Sequence, residues 1–153
     1  MQEPSVPVAP ASRAAPSRLA QALAYAGLLP FLAGALLVWL VRADAHPYVA
    51  LALSAYAAVI VSFLGGIHWG LAFTRAPPPT AWLVWGVLPS LVAWVAVMMP
   101  PSAGLVVHGA MLLTCYAVDR RLYPQQGAAA WLTLRFRLST VAALCCFVGA
   151  AGT

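Results

Sequence analysis

The sequence predicts an all-α integral membrane bundle of five transmembrane helices, with the N-terminus cytoplasmic and the C-terminus outside. Three observations lead there. The 153-residue chain is 63% hydrophobic and only 7% charged, with a mean hydropathy of +0.89, whereas about a quarter of the residues in a soluble domain carry charge. The apolar residues fall into five stretches, most of them near the roughly 20 residues that cross a 30 Å hydrocarbon core. All eight basic residues are arginine, and they sort strongly to one side once the stretches are threaded through a membrane.

Taken in order, residues 1–17 hold Pro4, Pro7, Pro10 and Pro16 among small residues, a composition that predicts a disordered Pro/Ala-rich cytoplasmic tail. The tail has no basic start followed directly by an apolar core, so it does not read as a secretory signal. The membrane domain is expected over 18–153. Its first span runs over 19–41, between Arg18 and Arg42. The second covers 48–73, from the residue after Pro47 to just before Arg75. The third covers 81–99, opened by Thr80 as a potential cap and closed by Pro100 and Pro101, which cannot continue a helix. The fourth, 103–119, is short and ends at Arg120 and Arg121. The fifth covers 131–152, with Arg135 and Arg137 at headgroup level.

Loops alternate sides, and arginine collects on the cytoplasmic side. Arg13, Arg18, Arg75, Arg120, Arg121, Arg135 and Arg137 then share the cytoplasmic face, and Arg42 stands alone outside. The formal net charge of +5 is therefore a topology signal, and arginines this sparse do not make a nucleic-acid surface. The lipid bilayer is the first partner. An arginine-only, alanine-rich composition points to a GC-rich bacterial genome and so to the inner membrane. Cys115, Cys145 and Cys146 are three in number and show no CxxC spacing, which suggests neither a disulfide framework nor a zinc site.

The helix faces carry the remaining information. Gly27 and Pro30 in the first span and Pro89 in the third are expected kinks, freeing the carbonyls of Ala26 and Trp85. Such breaks build substrate sites in some transporters, and membrane helices also carry them for packing alone. In the second span, Ser62, Gly66 and Gly70 recur every fourth residue, predicting a close-packed seam, and Gly65 is a further expected packing residue. At about 100° per residue, His68 points roughly 160° from that row, beside Leu64, Gly65 and Ala72, and needs a polar partner from elsewhere. A lone histidine in a membrane serves as a ligand, as a proton carrier or as a hydrogen-bonded structural group; the structural role is the expectation. In the fourth span, His108, Cys115 and Asp119 fall within about 20° of one line and should face the interior. In the fifth, Arg135 shares a small-residue face with Ser139, Ala142, Cys146 and Gly149, while Arg137 points away. Asp119 and Arg135 lie at similar depth and are expected to pair, because an unpaired buried carboxylate is costly.

The runs YAAVIVSFLGGIHWGLA (56–72), GLLPFLAG (27–34), LPSLVAW (88–94) and WLTLRFRLST (131–140), together with Asp119, resemble the DUF3429 family, small multi-pass membrane proteins of the transmembrane protein 69 type. The resemblance implies five helices and carries over Gly27, Pro30, Tyr56, Ser62, Phe63, Gly65, Gly66, Trp69, Gly70, Pro89, Trp94, Asp119, Trp131 and Arg135 as pattern positions. It implies no activity and no cofactor.

No nucleophile and base pattern, HExxH or phosphate-binding glycine loop is present. No cofactor and no catalytic residue are therefore expected. The leading expectation is a non-enzymatic structural, assembly or partner-binding role, with a membrane protein or a second copy as partner. A small-solute or proton transporter is the alternative, and haem or redox association through His68 or His108 a weaker one, weakened because the two histidines are expected at different depths.

Overall fold

The computed structural model describes residues 15–153; the expected tail lies outside the described residues as far as residue 14. Among the described residues there are six α-helices and no strands: α1 (Arg18–Ala26), α2 (Leu29–Leu40), α3 (His46–Ala72), α4 (Thr80–Val97), α5 (Pro101–Leu122) and α6 (Leu132–Ala151). They make five stretches long and apolar enough to cross a membrane, α1 and α2 together forming the first. The chain is a multi-pass membrane protein.

Local chemistry accounts for the ends. Ser17 Oγ accepts the Ala20 N–H at 3.1 Å and caps α1. Pro47 and Pro101 fall in the first turns of α3 and α5, where a missing N–H costs nothing. Thr80 opens α4 but forms no side-chain cap. Helix α5 runs on to Leu122, past its expected end at 119, because the Asp119 side chain turns inward and leaves Arg120 and Arg121 exposed.

The first break differs from expectation in detail. The chain leaves the helix at Gly27–Leu28, and Pro30 sits in the first turn of α2, exposed, rather than inside a kinked helix. The Tyr56 hydroxyl of α3 donates to the Gly27 carbonyl at 2.8 Å, so the carbonyl left open by the break is satisfied by a neighbour. At the second break, α4 remains one helix through Pro89, which is fully buried.

The seam of α3 lies on the opposite face from the one the glycine row predicts. Gly66 and Gly70 are exposed, with open space where a side chain would begin, and Ser62 is half-buried. The packed face carries Val61, Leu64, Gly65, His68 and Ala72 instead. At Gly65 a Cβ would overlap the Gly86 carbonyl of α4, and at Gly86 one would overlap the Trp69 ring. These two glycines let the α3 and α4 backbones touch, and α3 with α4 is the most extensive helix pair. A membrane offers no hydrophobic force to choose between two small-residue faces. The face that carries His68 turns inward because an imidazole in lipid needs a partner.

The end of the bundle holding the α2–α3 turn is tied to the C-terminus of α6: the Trp39 indole N–H donates to the Val148 carbonyl at 3.2 Å, and His46 Nε2 to the Gly152 carbonyl at 2.8 Å. At the other end, an Arg75 Nη donates to the Gln125 carbonyl at 2.8 Å, joining the loop after α3 to the loop after α5. The Arg75 guanidinium also covers the Trp82 ring at 4.7 Å.

Candidate functional site

The chemistry converges on Asp119, which is 1% exposed and belongs to the face of α5 that also buries His108 and Cys115. Helix α6 presents Arg135, whose Nε and one Nη donate to Asp119 Oδ2 at 2.8 and 2.5 Å. Helix α3 presents His68, whose Nε2 lies 2.9 Å from Asp119 Oδ1. A carboxylate only accepts, so His68 carries its proton on Nε2. Both oxygens of Asp119 are thus engaged, and three helices are tied through one carboxylate. Tyr123, in the turn just after α5, is buried with its ring centroid 6.1 Å from that of His68. Burial pushes its phenol up to about 12, so it remains protonated.

Within this arrangement the Asp119 carboxylate and the Arg135 guanidinium balance one another. Desolvating two charges is repaid only by good geometry and further hydrogen bonds, and both are present in this cluster. What it lacks is a second partner for His68, whose Nδ1 is buried and unpartnered.

His108 sits apart from this cluster. Eleven residues of α5 separate it from Asp119, about 16 Å along the helix axis. Its Nδ1 is 3.5 Å from Ser54 Oγ and its Nε2 is 3.4 Å from the Ala93 carbonyl. The carbonyl requires a donor, so Nε2 bears the proton and Nδ1 accepts from Ser54. The structure therefore does not bring His68 and His108 together. Among the described residues no three His, Cys, Asp or Glu side chains gather as they would around a metal ion. Cys115, Cys145 and Cys146 are free and buried.

Of the residues read as candidates, Asp119, Arg135 and His68 meet, and His108 joins a separate buried cluster. Gly27 marks a break and Pro89 a packed contact with Gly65, while Gly66 and Gly70 lie on the surface. Arg137 is exposed and reaches the Tyr25 hydroxyl of α1 at 3.4 Å. The partner of His68 was not assigned from sequence, although a signal existed: His68 and Asp119 each lie within about two turns of the same end of their spans. Ser139, on the small-residue face of α6, has its Oγ buried without a partner. It borders a half-open cavity of about 660 Å³ beside the Gly27–Leu28 break.

Comparison with known proteins agrees with this architecture. A family model described as "Protein of unknown function (DUF3429)" matches residues 16–151. The Xenopus tropicalis protein named "Transmembrane protein 69" is 35% identical over 134 residues, covering 83% of this chain and 51% of the relative. The chain thus spans about half the length of that relative. No solved structure matches.

Proposed function

The chain belongs to the DUF3429 family, and on that footing we propose that it acts without catalysis, as a compact helical bundle that binds a partner within a membrane and serves a larger assembly or its biogenesis. One observation carries this reading: the ionisable side chains of the interior are engaged with one another and with neighbouring backbone. Asp119 is consumed by His68 and Arg135, and His108 by Ser54 and Ala93. At Pro89 the interior is filled by the Gly65 contact. A path for a polar solute needs a continuous polar lining, and about 16 Å of α5 between the two clusters is faced by Leu112 and Cys115. The outer surface of α3 is the place for such a partner. There Gly66 and Gly70 leave open surface where another helix could approach closely, near exposed Phe63, Trp69 and Phe73.

The arginine distribution supports an N-terminus in the cytoplasm and a C-terminus outside, and the composition suits a bacterial inner membrane. Purification in mild detergent should recover a stoichiometric membrane-protein partner, and Gly66→Leu with Gly70→Leu should release it while the bundle stays folded. A clean monomer, or proton or solute flux in proteoliposomes that depends on Asp119, would contradict the proposal.

A further inference from the structure

The cavity beside the Gly27–Leu28 break is a cleft walled by α3 and α6, with α1 and the start of α2 along a third side. Its lining runs from Ile60 to Leu71 on α3 and from Trp131 to Ala142 on α6, in each case about 16 Å of helix. Half of the hydrocarbon core is about 15 Å. The cleft is therefore one leaflet deep, reaching from the end of the bundle marked by Trp131 to mid-membrane. Leu23 of α1 and Phe63 of α3 both line it and are each 65% exposed. It is thus continuous, between α1 and α3, with the surface that faces lipid.

The walls select hydrocarbon. Ser139 borders the cleft, but its Oγ is buried away from it, and Arg135 is engaged by Asp119. Tyr123, the remaining polar side chain on the lining, lies at the Trp131 end. Water needs two to four polar partners, which these walls do not supply. Helix α1 points the same way: it buries no residue in the protein, yet turns Ala20, Leu23 and Ala24 to the cleft. A slender apolar chain one leaflet long would give those residues a packing partner. Charge selects the head of such a chain. Arg18, Arg75, Arg120 and Arg121 are exposed at the end where the cleft begins, and among the described residues the only acid at that end is the buried Asp119. A negative headgroup is favoured beside arginines at the membrane surface.

We infer that the cleft holds one acyl chain of an anionic phospholipid, its headgroup at the arginine-bearing end of the bundle and its chain packed between α1, α3 and α6 down to mid-membrane. The lipid is a structural component that completes the packing of α1, and its binding stands independently of any protein partner.

The test titrates the lipid-stripped full chain, in a steroid-based detergent so that no detergent chain competes, with dioleoylphosphatidylglycerol. Native mass spectrometry reads the adduct and hydrogen exchange reads α1. One saturable phospholipid adduct is expected, with exchange over 18–26 slowing several-fold as it forms. Ala24→Phe fills the cleft from α1 and Ile67→Trp fills it from α3. Both should lose the adduct and the slowing, and two variants from opposite walls keep the test decisive if one misfolds. Leu91→Phe, on the exposed face of α4, should keep both. Dioleoylphosphatidylcholine should bind about fivefold more weakly, the worth of one arginine near an anionic headgroup. An adduct unchanged in the filled variants, or exchange of α1 indifferent to lipid, overturns the inference. Equal binding of phosphatidylcholine overturns the anionic headgroup, and equal binding of oleate, lost in the same variants, overturns the phospholipid in favour of a free fatty acid.

Discussion

The two sides of the bundle are held by different forces. Where α3, α5 and α6 meet, a carboxylate, a guanidinium and an imidazole are buried together and each needs the others. In the first span, α1 buries no residue and is joined to the rest through the Tyr56–Gly27 hydrogen bond and the exposed Arg137–Tyr25 contact. Lipid solvates a leucine on α1 as well as protein does, so apolar burial gives that helix little reason to dock. Polar groups have no such freedom. In this fold the buried polar groups fix which faces of α3, α5 and α6 meet, and the Gly65–Gly86 contact sets how closely α3 and α4 approach.

That contrast is open to attack from both sides. The largest effect is expected from Asp119→Ala, which strands Arg135 and His68 in the interior and should cost about 3–5 kcal/mol of bundle stability, read as unfolding in mixed detergent. Next is the backbone contact beside the cluster. Gly65→Leu must push α4 away from α3 and should cost about 1–3 kcal/mol, whereas Gly66→Leu, one residue along on the open face, should change stability by less than about 0.5 kcal/mol. If the two behaved alike, the assignment of the packed face of α3 would be wrong. Tyr56→Phe removes one hydrogen bond at the break and should cost about 1 kcal/mol, with faster proteolysis or hydrogen exchange confined to α1. Arg137→Gln, on an exposed contact, should fall within about 0.5 kcal/mol of the wild type.

The same contrast explains what could be read from sequence. The five spans were legible because hydropathy and arginine placement are sums over many residues. Asp119 and Arg135 were legible as a pair because the interior face of each helix and the depth of each residue could be counted from its own span. The partner of His68 was not assigned, since it depends on which way α3 rotates. The Ser62, Gly66 and Gly70 row looks like a seam by spacing, but Gly65 faces the helix that has its own glycine, Gly86, at the contact. Such complementarity belongs to two helices at once. The first break falls at Gly27, as the sequence suggests, while the Tyr56 hydroxyl that satisfies its open carbonyl comes from another span and is not legible locally.

The central claim is that Asp119 and Arg135 are a closed tie whose value lies in their being together. A double-mutant cycle on Asp119→Asn, Arg135→Gln and the combined variant, measured as unfolding free energy in mixed detergent, tests it most directly. The account predicts that each single change is severe and the pair of changes is little worse than either, with a coupling of about 2–3 kcal/mol. Additive losses would contradict it.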